Sequence, residues 1–251
     1  MLVRHIPHAS TLIPEDMKRF FLISSQEMRH ELLRLTDWYT DELFSDCRSR
    51  EVLFPVSRLV CDPERFLNDS EELASEVGMG VFYTHGTNGQ VIRENDEALR
   101  REIIARYYQP HHQSLSACVA ENLVNHEKCL ILDCHSFPQE RLPTDIAADS
   151  MLRPHICLGF EEFHYPADLV DEIFSGLSSE GLVVSINTPY SGSLIPSEYH
   201  NKDERVLGLM IELNRRIYMD ENSGLKLDKF DQIRDLIKVH ILDRIHLYLQ
   251  N

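Results

Sequence analysis

Two rhythms of apolar positions alternate along the 251 residues. Short unbroken apolar runs form the first: CLILD (129–133), HICLGF (155–160), LVVSIN (182–187) and VLGLMIEL (206–213). A strand covered on both faces of a parallel sheet has no wet side, so its sequence does not alternate, and these runs read as buried strands. The last run also fits a helix. The second rhythm has a spacing of three and four. Met28, Leu32, Leu35, Tyr39 and Leu43 recur at helical intervals behind Ser25, which can cap, so residues 24–48 read as one helix. Residues 94–127 read as helix, interrupted or kinked near Gln109–Pro110, because proline has no N–H for the ladder. Residues 166–180 and 227–248 supply two more helices. EVLFPVSRLVCD (51–62) reads as two extended pieces broken at Pro55, and Gly78–Tyr83 as a strand leading into the loop THGTNG. Helices alternating with buried strands predict an α/β fold, with a central, mainly parallel mixed sheet between helical layers. No repeat, low-complexity tract or linker interrupts the pattern, so residues 1–251 are expected to form a single domain.

Charge narrows the partners. Asp and Glu number 41 against 25 Lys and Arg, a formal net charge of −16. That field repels phosphate backbones, so no nucleic-acid partner is expected. A small anionic substrate remains compatible, since a few convergent arginines make a local positive pocket. No stretch approaches about 18 uncharged apolar residues, so no membrane span is expected. The start, MLVRHIPHAS, carries no apolar signal-peptide region. The six cysteines form no CxxC pair and several lie in apolar runs, which fits reduced core thiols of a cytoplasmic protein.

Five segments carry candidate chemistry. In open α/β sheets ligands bind beyond the carboxyl ends of strands. Asp133-Cys134-His135-Ser136 ends such a strand, so His135 suits a metal ligand or a general base; the alternative is a histidine hydrogen-bonded in a loop. In His5-Ile6-Pro7-His8-Ala9-Ser10, small neighbours leave His8 room to approach an ion; the alternative is a frayed strand with exposed histidines. Asp37 and Asp41 stand four apart, on one face of the predicted helix, either solvated or facing a cation. Two imidazoles and one carboxylate are a common catalytic zinc set with an open position for water. Arg58 interrupts an apolar strand, a cost that pairing offsets, with a bound carboxylate or with Asp62. Glu212 lies in an apolar run, where desolvation would raise its pKa toward that of a general base; on a helix it could instead face solvent. No GxSxG, P-loop, GxGxxG or HExxH pattern is present.

Taken in order, PHAS with Ile13-Pro14 after it, TDWYTDEL, VSRLVCDPERF, YYQPHHQSL, LDCHS and MIELNRRIYMDE make the chain resemble the N-formylglutamate amidohydrolase family over roughly residues 3–220. That family is related in fold to zinc carboxypeptidases and to the aspartoacylase group. The resemblance implies a zinc-carboxypeptidase-like three-layer αβα fold and one zinc ion per chain, although such donor sets admit other divalent ions. It also implies hydrolysis of the amide of a small N-acyl amino acid such as N-formylglutamate. By position, His8, His135 and Asp37 would hold the metal, with Asp41 as the substitute carboxylate. Arg58 and Arg65 would hold a substrate carboxylate or polarise the scissile carbonyl. Ser136 and Tyr190 would line the substrate, and Glu212 would be the general base. Two stretches depart from the family's more typical basic pattern: 137–143, and 187–196, which contains no arginine. Both are expected at the acyl amino acid, so they bear on substrate choice more than on hydrolysis. A zinc peptidase or amidase acting on peptide or cell-wall amides, and a non-catalytic binding protein retaining the fold, are the alternatives.

Overall fold

A computed structural model describes residues 1–144 and 153–250. The strands are β1 (Leu2–Ile6), β2 (Arg50–Leu53), β3 (Cys129–Phe137), β4 (Ile156–Gly159), β5 (Val184–Ile186) and β6 (Val206–Asn214). They form one sheet in the order β2-β1-β3-β6-β4-β5, in which only the β4–β6 pairing is antiparallel. The helices are α1 (Glu15–Lys18), α2 (Ser25–Leu35), α3 (Thr40–Leu43), α4 (Glu97–Ile103), α5 (Gln109–Asn125), α6 (Ala167–Ser179), α7 (Phe230–Ile237) and α8 (Asp243–Tyr248). This is the expected α/β architecture with a mixed, mostly parallel sheet. Among the described residues no helix is long and apolar enough to cross a membrane. All six cysteines are free, and Cys61, Cys129, Cys134 and Cys157 are buried.

The period-two geometry of strands sorts the side chains onto two faces. Leu130, Leu132 and Cys134 of β3 join Leu209, Ile211 and Leu213 of β6 against α6, α7 and α8. Cys129 and Ile131 face the other way, with Val3 of β1, Val206, and Leu115 and Val119 of α5. β3 and β6 are buried along their whole length. The ambiguous run at 206–213 is therefore a strand, because β3 pairs with it on one side and β4 on the other.

Three expectations need correction. Residues 24–48 are not one helix. α2 opens on a Ser24 capping box and stops at Thr36, whose backbone is extended. Asp37 N–H then donates to His8 O at 3.0 Å, and Tyr39 adopts φ 65° before α3. Helical spacing continues through the break, so periodicity alone hides it. Residues 56–62 form a turn rather than a strand, with Val60 N–H bonded to Ser57 O at 2.8 Å. Arg58 therefore interrupts no ladder. Gly78–Tyr83 is a buried loop: Thr84 and His85 both donate to Gly78 O, at 2.8 and 3.1 Å. Gly78 has φ 74°, and a Cβ there would lie 2.2 Å from His85 Nδ1. The helical stretch at 94–127 is interrupted beside Gln109–Pro110, as expected: a π-helical turn at Ile104–Tyr108, with Gln109 N–H bonded to Ile104 O, separates α4 from α5, which carries Pro110 in its first turn.

Candidate active site

Strand register builds the site. In β1 and β3, His5 stands beside Asp133; in β3 and β6, His135 stands beside Glu212. All four occupy the α5 face, near the carboxyl ends of parallel strands, where ligands bind in open sheets. Two residues beyond β1 lies His8, which is buried rather than frayed. Its Nε2 donates to Asp62 Oδ1 at 2.8 Å. Asp62 is itself held by Arg58 Nη2 at 2.8 Å and by the Tyr83 hydroxyl at 2.6 Å. Burial opposes ionisation of Asp62, but the charges of Arg58 and His8 hold its carboxyl well below the usual range. With Nε2 committed as donor, His8 Nδ1 keeps a lone pair. That atom is buried with no hydrogen-bond partner among the described residues, 3.6 Å from Asp37 Oδ2.

Asp37 sits in the break between α2 and α3, which carries it inward. Its Oδ2 lies 3.1 Å from His135 Nδ1, and its Oδ1 accepts from Arg215 Nη2 at 3.0 Å. Burial raises its pKa, but the neighbouring His135 and His8 imidazoles and the Arg215 charge bring it well below normal. Arg215 also donates to the Ser136 hydroxyl and carbonyl, each at 3.1 Å, so Ser136 is anchored beside the cluster. Ligand atoms of His8, Asp37 and His135 all lie within 4.8 Å of one another. Asp41 is excluded from this group. It is exposed after the helix break, so it shares no face with Asp37, and it lines a separate hollow of about 790 Å³.

His135 is buried beside carboxylates on every side. Its Nε2 lies 3.0 Å from Glu64 and 3.1 Å from Asp133. Burial disfavours the imidazolium, but the charges of Glu64 and Asp133 outweigh it and hold the pKa well above the ordinary histidine value. Glu212 goes the opposite way from Asp37: burial lifts its carboxyl to about 8. Its Oε2 is buried without a hydrogen-bond partner.

These groups open onto a cavity of about 700 Å³. Arg58, Arg65, Ser136 and Tyr190 line it, together with Tyr190's neighbours 189 and 191–194, from one of the two stretches flagged in the sequence. Arg58 turns Nε and Nη2 toward Asp62, with Nε also on the Tyr83 hydroxyl, the ion pair considered as its alternative role. Arg65 does not: its Nε lies 3.6 Å from Asp62 and makes no hydrogen bond. The Tyr190 hydroxyl accepts from Arg153 at 3.3 Å. Sequence reading missed Asp62, Glu64, Tyr83 and Arg215 as site groups. The motifs DPERF and NRRI contained three of them, but nothing local distinguishes a buried carboxylate or guanidinium from a solvated one.

A sequence model of the N-formylglutamate amidohydrolase family matches residues 1–219. The chain belongs to this family. Two solved structures share the N-formylglutamate amidohydrolase fold seen here. One is the N-formylglutamate amidohydrolase of Ralstonia eutropha JMP134, with a TM-score of 0.80 at 21% identity, covering 99% of this chain and 94% of that one. The other is a gene product of Agrobacterium tumefaciens, with a TM-score of 0.63 at 19% identity, covering 98% and 91%. At such identities the likeness concerns the fold. No curated protein matches the sequence. Every residue of the cluster, from His5 to Arg215, falls inside the span that matches the N-formylglutamate amidohydrolase family, whereas α7 and α8 lie beyond it.

Proposed function

We propose that this single-domain chain is a zinc-dependent amidohydrolase that cleaves a small N-acyl amino acid of the N-formylglutamate type. One observation carries the metal: His8 Nδ1, a buried lone pair without a partner, converges with Asp37 and His135 on one point. Two imidazoles and a carboxylate fit a divalent ion, and each imidazole is backed by a further carboxylate, Asp62 or Asp133.

A cation held by His8, Asp37 and His135 supplies positive charge that eases ionisation of a water and polarises a carbonyl oxygen. Glu212 takes the proton of the attacking water, its basicity raised by burial. It then delivers that proton to the departing amine nitrogen. Arg65, with donors to spare, stabilises the oxygen that becomes negative on the acyl carbon. Arg58, part-exposed in the cavity, fixes a substrate carboxylate, while Ser136 and Tyr190 bound the pocket.

Chelation tests the proposal. Hydrolysis of N-formylglutamate is expected to stop when the metal is stripped and to return with zinc; turnover by a fully metal-free chain defeats it. Arg65→Ala is expected to lower kcat by about 10²–10³-fold, as loss of an oxyanion donor does, and kinetics equal to the parent's refute that role. The cavity volume favours one second reading, an amidase acting on a larger peptide or cell-wall amide, since pockets of this size hold drug-sized ligands. A substrate panel decides between the two by kcat/KM.

A further inference from the structure

The roles above leave a buried histidine pair unused. His5 is wholly buried in β1. Its Nδ1 lies 2.8 Å from Asp133 Oδ1, and its Nε2 lies 2.8 Å from His111 Nε2 on α5. The same Asp133 oxygen is 3.1 Å from His135 Nε2, and the other Asp133 oxygen accepts from Leu194 N–H at 3.0 Å. These contacts make one continuous path, His111–His5–Asp133–His135, ending at the cation site. One arrangement of protons satisfies it while leaving His135 Nδ1 with a lone pair. His135 Nε2–H and His5 Nδ1–H both donate to Asp133. His5 Nε2 therefore accepts, and His111 Nε2–H donates. Turning the His5 tautomer over would press a nitrogen lone pair against a carboxylate oxygen at 2.8 Å. Burying two imidazoles under the sheet costs desolvation that an apolar residue at position 5, like Val3 in the same strand, would avoid.

We propose that His5, backed by His111, is a positioning residue: through Asp133 it holds His135 in the tautomer and ring orientation that present Nδ1 to the cation. The inference rests on the metal-site reading of the previous section. Outer partners of metal-bound histidines typically influence affinity by 10–100-fold.

The test is a zinc competition titration against a chromophoric chelator, with kcat and KM measured at saturating zinc, on the parent chain, His5→Leu, His5→Asn and His111→Phe. His5→Leu is expected to weaken zinc binding by about 10–100-fold. His5→Asn keeps an N–H donor near the Nδ1 position and is expected to recover most of that loss. His111→Phe is expected to lose less than His5→Leu, and KM at saturating zinc is expected to stay put in all three. Unchanged zinc affinity in His5→Leu overturns the proposal. Equal losses in His5→Leu and His5→Asn also overturn it, because they indicate packing alone. Two zinc ions per parent chain, one of them lost in His5→Leu, would make His5 a ligand together with Glu64 and Asp133, which overturns it too. If His5→Leu fails to fold, His111→Phe carries the comparison, and parental affinity there is decisive against the idea. A parent chain that takes up no zinc overturns the underlying metal reading; zinc uptake with indifferent variants overturns only this one.

Discussion

Glu212→Gln is expected to fold, to take up zinc as the parent chain does, and to lose about 10²–10⁴-fold in kcat, the usual cost of removing an acid–base group. The reason lies in β6. The side chain of position 212 is buried beside His135, yet its Oε2 has no hydrogen-bond partner, so it serves no structural bond that the amide would break. The substitution should also change how stability depends on pH. Burial raises this carboxyl from 4.5 to about 8, so the folded chain keeps a proton that the unfolded chain releases. Its stabilising contribution is full below pH 4.5 and drains away as the pH rises toward 8. The amide has no such slope. In the zinc-free protein, Tm of the variant should therefore exceed that of the parent near pH 8, and the gap should close toward pH 4.5. Parental kcat would remove Glu212 from the mechanism, and parallel curves of Tm against pH would refute the desolvation account.

Asp37→Ala should cost the most stability of any single change at the site. Asp37 is 2% exposed and Arg215 is 3% exposed, and they are joined at 3.0 Å. Removing the carboxylate leaves a guanidinium buried and uncompensated, which typically costs about 3–5 kcal/mol, and it takes away one point of the ligand triangle. Urea unfolding should report the first effect and zinc titration the second. Asp37→Asn keeps the shape and an acceptor for Arg215, so it should fall in between. Asp41→Ala is the control. Its side chain is exposed and outside the cluster, so a change within about 0.5 kcal/mol is expected, with zinc uptake intact. If Asp37→Ala were as mild as Asp41→Ala, the Asp37–Arg215 pair could not be central to the site.

These two aspartates also show where sequence reading loses its grip. Four residues apart, they look equivalent on a continuous helical pattern. A single backbone bond, Asp37 N–H to the His8 carbonyl at 3.0 Å, ends the helix and sends one inward and the other into water. Arg58 is a similar case. It looked like a charge within a strand, but a turn from Ser57 to Val60 carries it, and much of its binding capacity goes to Asp62. Gly78–Tyr83 is apolar because it is buried, and burial without a partner strand leaves the same trace in the sequence as burial with one.

Local periodicity was enough to reveal the α/β class, the strand runs at 129, 155 and 182 and the helix α6, since each element must offer an apolar face to one core, whereas the run at 206 needed its partners β3 and β4 to settle it as a strand. The types of the key donors, two histidines and a late glutamate in apolar surroundings, could likewise be read along the chain. Which donors meet was decided by the sheet. Register set His5 beside Asp133 and His135 beside Glu212, and the order β1-β3-β6 brought together three strands drawn from Leu2 to Asn214 of the chain. Such juxtapositions come from pairing between distant segments, so no window along the chain contains them. For the same reason Glu64, Arg215 and His111, with partners far away along the chain, emerged only once the chain was folded, as did the bond from His8 to Asp62.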